Sequence, residues 1–219
     1  MKMNFTERLE RTPNSKSNLY DSIVRENKEF LKGKSLLEFG VYTGNSLSNF
    51  TASYNKVGLD KDFYGFDSFQ GLPEENLDKN NPSYWTPGLF SGGSTVQQVR
   101  NKLPHVKVVP GWFSDTLNQD LLDEVSKKEI GILHVDCDIY TSSMQVLEWV
   151  VSNNLLSDGT IVIYDDWGGH YGSGVGEFEC GEGKAHKDIC EKYDLNFEFL
   201  SCNVIQKNYV EVCCFRYKK

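Results

Sequence analysis

The sequence predicts a doubly wound α/β sheet of seven strands, mostly parallel, that closes with a C-terminal antiparallel hairpin. Three observations predict it. Short apolar runs alternate with amphipathic segments about five times along the chain, the pattern of strands joined by crossover helices. The runs at 129–138 and 160–166 are almost unbroken in apolar character, as expected of central parallel strands covered on both faces. The last two strand-like runs, 196–205 and 209–217, are separated only by a Lys-Asn turn.

The elements follow in order. Residues 17–32 place Leu19, Ile23 and Phe30 roughly on one side of a helix, which Gly33 ends. A strand at 35–40 runs into glycine. Residues 44–55 suit a helix with Asn45 or Ser46 as N-cap. The aromatic-rich 62–67 reads as a strand. Residues 68–93 are the longest irregular stretch, and loops of that length in a compact domain are usually lids or binding loops. A helix at 94–103 capped by Ser94, a strand at 105–111 and a helix at 115–127 with Asp115 at its start come next. The strand at 129–138 leads to a helix at 140–156, an Asp158-Gly159 turn and the strand at 160–166. A glycine-rich loop, 168–183, and a helix at 184–193 precede the hairpin.

Length and charge narrow the classes. The chain of 219 residues suits one domain with a full apolar core, residues 1–33 being a helical extension of a core at 34–219. Acidic residues outnumber basic ones, 31 against 23, for a net charge of -8. That balance argues against a nucleic-acid or anionic-membrane partner, since phosphate binding needs clustered Lys and Arg. No run approaches the ~20 apolar residues of a membrane span, and the N-terminal segment lacks the apolar stretch of a signal peptide. A cytoplasmic protein is expected, with its six cysteines reduced and mostly packed as small hydrophobes. A zinc site from Cys180, His186 and Cys190 lacks a fourth ligand at good spacing, apart from His170.

The chemistry-bearing residues fall at strand C-termini: Glu38–Gly44, Asp67–Ser68, Gly111–Phe113, Asp136–Asp138 and Asp165–Asp166. On a doubly wound sheet these five loops converge on one edge. The glycines of EFGVYTG (38–44) allow a tight turn and close approach to a ligand. The run is not the G-x-G-x-x-G of dinucleotide sites, and its Glu suits an ammonium better than a phosphate. Asp67, at the next strand end, is placed to accept hydrogen bonds from ribose hydroxyls. A ligand with both an ammonium and a ribose is S-adenosylmethionine. Asp136, Asp138, Asp165 and Asp166 would repel one another unless a divalent cation joined them, and all-oxygen ligation suits Mg2+, Mn2+ or Ca2+. His134, inside an apolar run, reads as a packed core residue, whereas His170 is a rival base in a glycine-rich loop.

LLEFGVYTGNSL, FYGFDSFQGLPE, VVPGWFSDTL, LHVDCDIYTSS and IVIYDDW occur in that order over residues ~35–200. Together they resemble the macrocin O-methyltransferase family, metal-dependent class I S-adenosylmethionine enzymes with a Rossmann-like sheet that methylate hydroxyls of sugars and other natural products. The resemblance implies that Glu38, Gly40, Tyr42 and Gly44 surround the methionine end of S-adenosylmethionine. It implies that Asp67 and Ser68 hold the ribose and that Gly111, Trp112 and Phe113 lie near the adenine. Asp136, Asp165 and Asp166 would bind Mg2+ (or Mn2+), and Asp138 would be the general base toward a small-molecule hydroxyl acceptor. It also implies a homodimer.

Physical chemistry agrees with a metal. An alcohol holds its proton far above neutrality while a free Asp titrates near ~3.9, so a carboxylate alone generates little alkoxide. Segments 68–93 and 168–183 are expected to act as lids, with Tyr84, Trp85 and Trp167 available to stack on substrate. The competing classes are a haloacid-dehalogenase-like phosphatase, a metal-dependent glycosyltransferase, which would use the Asp-Cys-Asp run, and a binding module without turnover. In the first case the Thr after Asp-Cys-Asp is displaced by one position.

Overall fold

The computed structural model describes residues 15–74, 85–167, 180–206 and 209–219. Tyr84, expected in a lid, and His170, the rival base, lie outside them with the rest of 75–84 and 168–179. The strands are β1 (Ser35–Phe39), β2 (Phe63–Asp67), β3 (Val106–Pro110), β4 (Ile130–Val135), β5 (Ile161–Tyr164), β6 (Asn196–Gln206) and β7 (Tyr209–Lys218). They form a single sheet in the order β3-β2-β1-β4-β5-β7-β6. Strands β1 to β5 are parallel, and β7 is antiparallel to both β5 and β6. The doubly wound sheet with its C-terminal hairpin is the architecture that the sequence predicts.

The helices are α1 (Lys16–Glu26), α2 (Lys28–Leu31), α3 (Asn45–Val57), α4 (Val96–Lys102), α5 (Phe113–Thr116), α6 (Gln119–Val125), α7 (Tyr140–Ser152) and α8 (Gly181–Tyr193). Strand alternation splits the core in two. Leu36, Phe63, Ile132 and Ile163 pack with residues of α1 to α4 on one face. Leu37, Tyr64, Leu133 and Val162 pack with α6, α7 and α8 on the other. Each such side chain contributes about 1.5–3 kcal/mol on leaving water. None of the helices among the described residues is long and apolar enough to cross a membrane.

Several helix ends differ from the sequence-based expectation, and local hydrogen bonds explain each. The helix expected at 17–32 is broken at Asn27, whose side-chain amide donates to Ile23 O at 2.8 Å and competes with the helical ladder. The cap of α4 is Thr95 rather than Ser94, because Thr95 and Gln98 form a reciprocal capping box. The expected helix at 115–127 is two, since Asn118 Oδ1 caps a fresh start by accepting from Leu121 N at 3.1 Å. Neither Asn45 nor Ser46 caps α3: the cap is Gly44 in the left-handed region, without a side-chain bond. Helix α8 starts at Gly181, so 181–183 are helical rather than part of the glycine-rich loop.

Trp167 does not face a ligand. It is buried in the core against Tyr164, Phe215 and His186. Cys180, His186 and Cys190 do not gather as a three-ligand group among the described residues: His186 Nε2 lies 3.6 Å from Cys190 Sγ, but its Nδ1 lies 3.0 Å from the Tyr164 hydroxyl and its ring stacks on Phe215 at 4.6 Å. Burial pushes His186 down to about 3, so the ring packs uncharged.

Candidate active site

The C-terminal ends of β1 to β5 open on one cavity of about 730 Å³. It lies where the strand order reverses between β1 and β4, the point at which sheets of this type bind ligands.

The loop after β1 is pressed against the end of β4. Gly40 has φ +93°, and a Cβ there would sit 1.7 Å from the Asp136 carbonyl oxygen, so only glycine fits. Gly40 and Tyr42 line the cavity. Tyr42 also has positive φ and sets its ring edge-on to Phe90. Two residues expected around the cofactor stand back from the cavity. Gly44 caps α3 next to the Leu103 side chain. Glu38 is fully buried beneath the loop, where its Oε1 accepts from Ser46 Oγ at 2.8 Å. Ser46 takes its place on the wall.

Asp67 is on the wall, and its carboxylate also organises the loops around it. Oδ2 accepts from Val41 N and Tyr42 N at 2.8 and 2.7 Å, and Oδ1 accepts from Phe69 N at 2.6 Å. Ser68 closes its own turn, its hydroxyl donating to Gly71 O at 3.1 Å. Gly111, Trp112 and Phe113 line the cavity from the end of β3, with Phe113 edge-on to Phe39 at 5.6 Å. The described ends of the 68–93 segment also reach the cavity, through Phe69, Leu72, Trp85 and Phe90.

The acidic residues Asp136, Asp138, Asp165 and Asp166 meet here as expected. Burial, then Asp165 and Asp166, pushes the Asp136 carboxyl well above the usual carboxylate range. Burial and Asp166 do the same to Asp138, and burial and Asp165 push Asp166 up to about 6. Asp165 behaves oppositely. Burial would raise it, but the bond from His134 and the Lys16 ammonium at 2.5 Å outweigh burial and hold its carboxyl below the usual range.

Four residues outside the sequence-based site complete it. Lys16 and Tyr20, on α1, both bond Asp165. His134 is buried as expected but is not apolar filler. Its Nδ1 lies 2.9 Å from Glu38 Oε2 and its Nε2 lies 3.5 Å from Asp165 Oδ1. Burial would lower its pKa, but the bonds to Asp165 and Glu38 outweigh that and raise it to about 9. A chain of hydrogen bonds and ion pairs thus links Ser46, Glu38, His134, Asp165 and Lys16, with the Tyr20 hydroxyl bonded to both His134 and Asp165. Glu182, on the first turn of α8, is fully buried and bonds the backbone of both acidic loops. Its place inside a glycine-rich run left no periodic signal in the sequence.

The wall is electrostatically one-sided. Among the described lining residues, Asp67, Glu74, Asp136, Asp138, Asp165 and Asp166 face a single basic side chain, Lys16. One ligand atom each from His134, Asp136 and Asp165 lie within 4.8 Å of one another. Both His134 nitrogens are already engaged, so the donors that fit a hard cation are the carboxylates. Asp136 makes no side-chain hydrogen bond among the described residues. Asp165 would have to exchange its Lys16 contact for an ion.

A Rossmann-like sheet with this strand order, and a site at its reversal point that suits a cationic, ribose-bearing ligand, defines a class I methyltransferase. The chain belongs to the macrocin-O-methyltransferase (TylF) family, whose pattern it matches over residues 14–179, and is an S-adenosylmethionine-dependent O-methyltransferase. The phosphatase and glycosyltransferase readings of Asp-Cys-Asp fall with that membership. Comparison with curated proteins finds no match. Among solved structures, the O-methyltransferase NovP is similar at TM-score 0.66 and 19% identity, over 93% of this chain and 79% of that one. CalS11, a calicheamicin methyltransferase, is similar at 0.65 and 19%, over 90% and 77%. A CmcI structure with Mg and SAM is similar at 0.52 and 16%, over 94% and 73%.

Proposed function

We propose that this enzyme methylates a hydroxyl of a sugar or another natural product, with Mg2+ (or Mn2+) held by Asp136, Asp165 and Asp166. The observation that carries the reading is the convergence of five strand-end loops on a cavity with six acidic side chains and one lysine. That excess suits a sulfonium donor and a divalent ion together. The apo structure of CalS11 is described as that of a TDP-rhamnose 3'-O-methyltransferase, which supports a sugar as acceptor.

The residues divide the work. Asp67 and the backbone around Gly40 and Tyr42 receive the donor's ribose and amino-acid end, with Ser68 shaping the adjoining turn. Gly111, Trp112 and Phe113 bound the adenine side. Glu38 acts indirectly, by holding Ser46 and His134. Bound metal supplies Lewis acidity, which lowers the pKa of a neighbouring hydroxyl by several units. Asp138 accepts the hydroxyl proton, and the shared wall aligns acceptor and methyl group, an effect of proximity.

Asp67→Ala is expected to weaken S-adenosylhomocysteine binding by about tenfold or more, because a charge-assisted bond worth ~1.5–3 kcal/mol is lost. Calorimetric titration measures it, and an unchanged affinity would remove the ribose role. The reading as a whole is tested by methyl transfer from labelled S-adenosylmethionine to a panel of nucleotide-linked and free sugars. Turnover is expected to stop in EDTA and to return with Mg2+ or Mn2+. Full turnover in excess EDTA excludes the metal.

A further inference from the structure

Glu182 has no part in the chemistry above, yet both oxygens of its carboxylate are committed, to three backbone donors. Oε1 accepts from Cys137 N at 2.8 Å and from Asp138 N at 3.1 Å. Oε2 accepts from Asp166 N at 3.0 Å. The side chain is fully buried. One carboxylate therefore joins the loop after β4 to the loop after β5, using backbone donors only. The side chains of Asp138 and Asp166 stay turned to the cavity, which both residues line. Asp138 has φ +61°, a left-handed conformation that a non-glycine residue keeps only when its surroundings fix it. Glu182 supplies one such constraint by holding its N–H.

We propose that Glu182 is a positioning residue: by bonding both loops at once it sets the spacing of the Asp136–Asp138 pair from the Asp165–Asp166 pair. The inference rests on the reading of those carboxylates as metal ligands and base. A carboxylate is needed because three donors converge on two acceptor atoms. An amide of the same shape offers one acceptor oxygen, and its NH2 group would confront an N–H of one loop and release it. Its location on α8 also makes that helix part of the site's framework.

The test compares Glu182→Gln and Glu182→Asp with the wild type, using Mn2+ alone, followed by electron paramagnetic resonance, and S-adenosylhomocysteine, followed by calorimetry. In folded Glu182→Gln, Mn2+ affinity is expected to fall at least tenfold while S-adenosylhomocysteine affinity stays within about threefold. Glu182→Asp, which keeps a carboxylate with two acceptor oxygens, is expected to recover part of the Mn2+ affinity. Amide exchange at Cys137, Asp138 and Asp166 is expected to quicken in Glu182→Gln. Wild-type Mn2+ affinity in Glu182→Gln would overturn the assignment. So would equal losses for Mn2+ and S-adenosylhomocysteine, the mark of a general packing role. If Glu182→Gln does not fold, Glu182→Asp decides alone: a Mn2+ loss with S-adenosylhomocysteine binding kept supports the assignment, and unchanged Mn2+ binding overturns it. If the wild type binds S-adenosylhomocysteine but no Mn2+, the metal reading fails, and the amide exchange rates alone decide for or against Glu182.

Discussion

Asp138→Asn is expected to lower kcat by about 10²–10⁴ while leaving S-adenosylhomocysteine and Mn2+ affinity close to wild type. Asparagine keeps the shape of the side chain and tolerates the left-handed φ of +61° at this position. Its backbone N–H still reaches Glu182, so the loop is retained. What is lost is the only function the position has as a base, a carboxylate that accepts a proton. Asp136→Asn should behave differently. It removes a ligand rather than a base, so its defect is expected to shrink at high Mg2+. Turnover measured against metal concentration for both variants separates the roles. Rescue of Asp138→Asn by Mg2+, with none for Asp136→Asn, means that the roles are reversed.

Gly40→Ala is expected to cost about 3 kcal/mol or more and to abolish S-adenosylhomocysteine binding. Two penalties act together. An alanine at φ +93° is strained, and its Cβ would lie 1.7 Å from the Asp136 carbonyl oxygen. That oxygen belongs to backbone, so one of the two loops must move, and both loops line the cavity. Gly58→Ala is the control. Gly58 has φ +70° but nothing within 4 Å of its Cβ position, so it should pay only the conformational strain, about 1–2 kcal/mol. Urea denaturation of both variants checks the difference. Equal costs would mean that the β1 and β4 loops are not held in contact.

The framework of the site was legible because it is written in local pattern. The apolar runs before Asp136 and Asp165 mark parallel strands, and parallel strands put their C-terminal loops on one edge. Helix ends were less legible. Asn27, Thr95 and Asn118 decide them through side-chain bonds that compete with or start a helix, and similar residues nearby offered equal alternatives. The second tier of the site was not legible at all. Lys16 meets Asp165 across 149 positions of sequence, and His134 meets Glu38 across 96. A histidine inside an apolar strand gives no sign that it bridges two carboxylates until both partners are in place. Glu38 shows the converse: its position at the strand end suggested ligand contact, but an inward-facing register buries it under Ser46.

The metal assignment is tested by the anomalous difference map of a crystal grown with S-adenosylhomocysteine and Mn2+. A peak is expected in contact with the carboxylates of Asp136, Asp165 and Asp166, with the Lys16 ammonium moved off Asp165. A crystal with S-adenosylhomocysteine in the cavity, no anomalous peak among these carboxylates, and Asp165 still paired to Lys16 would contradict it.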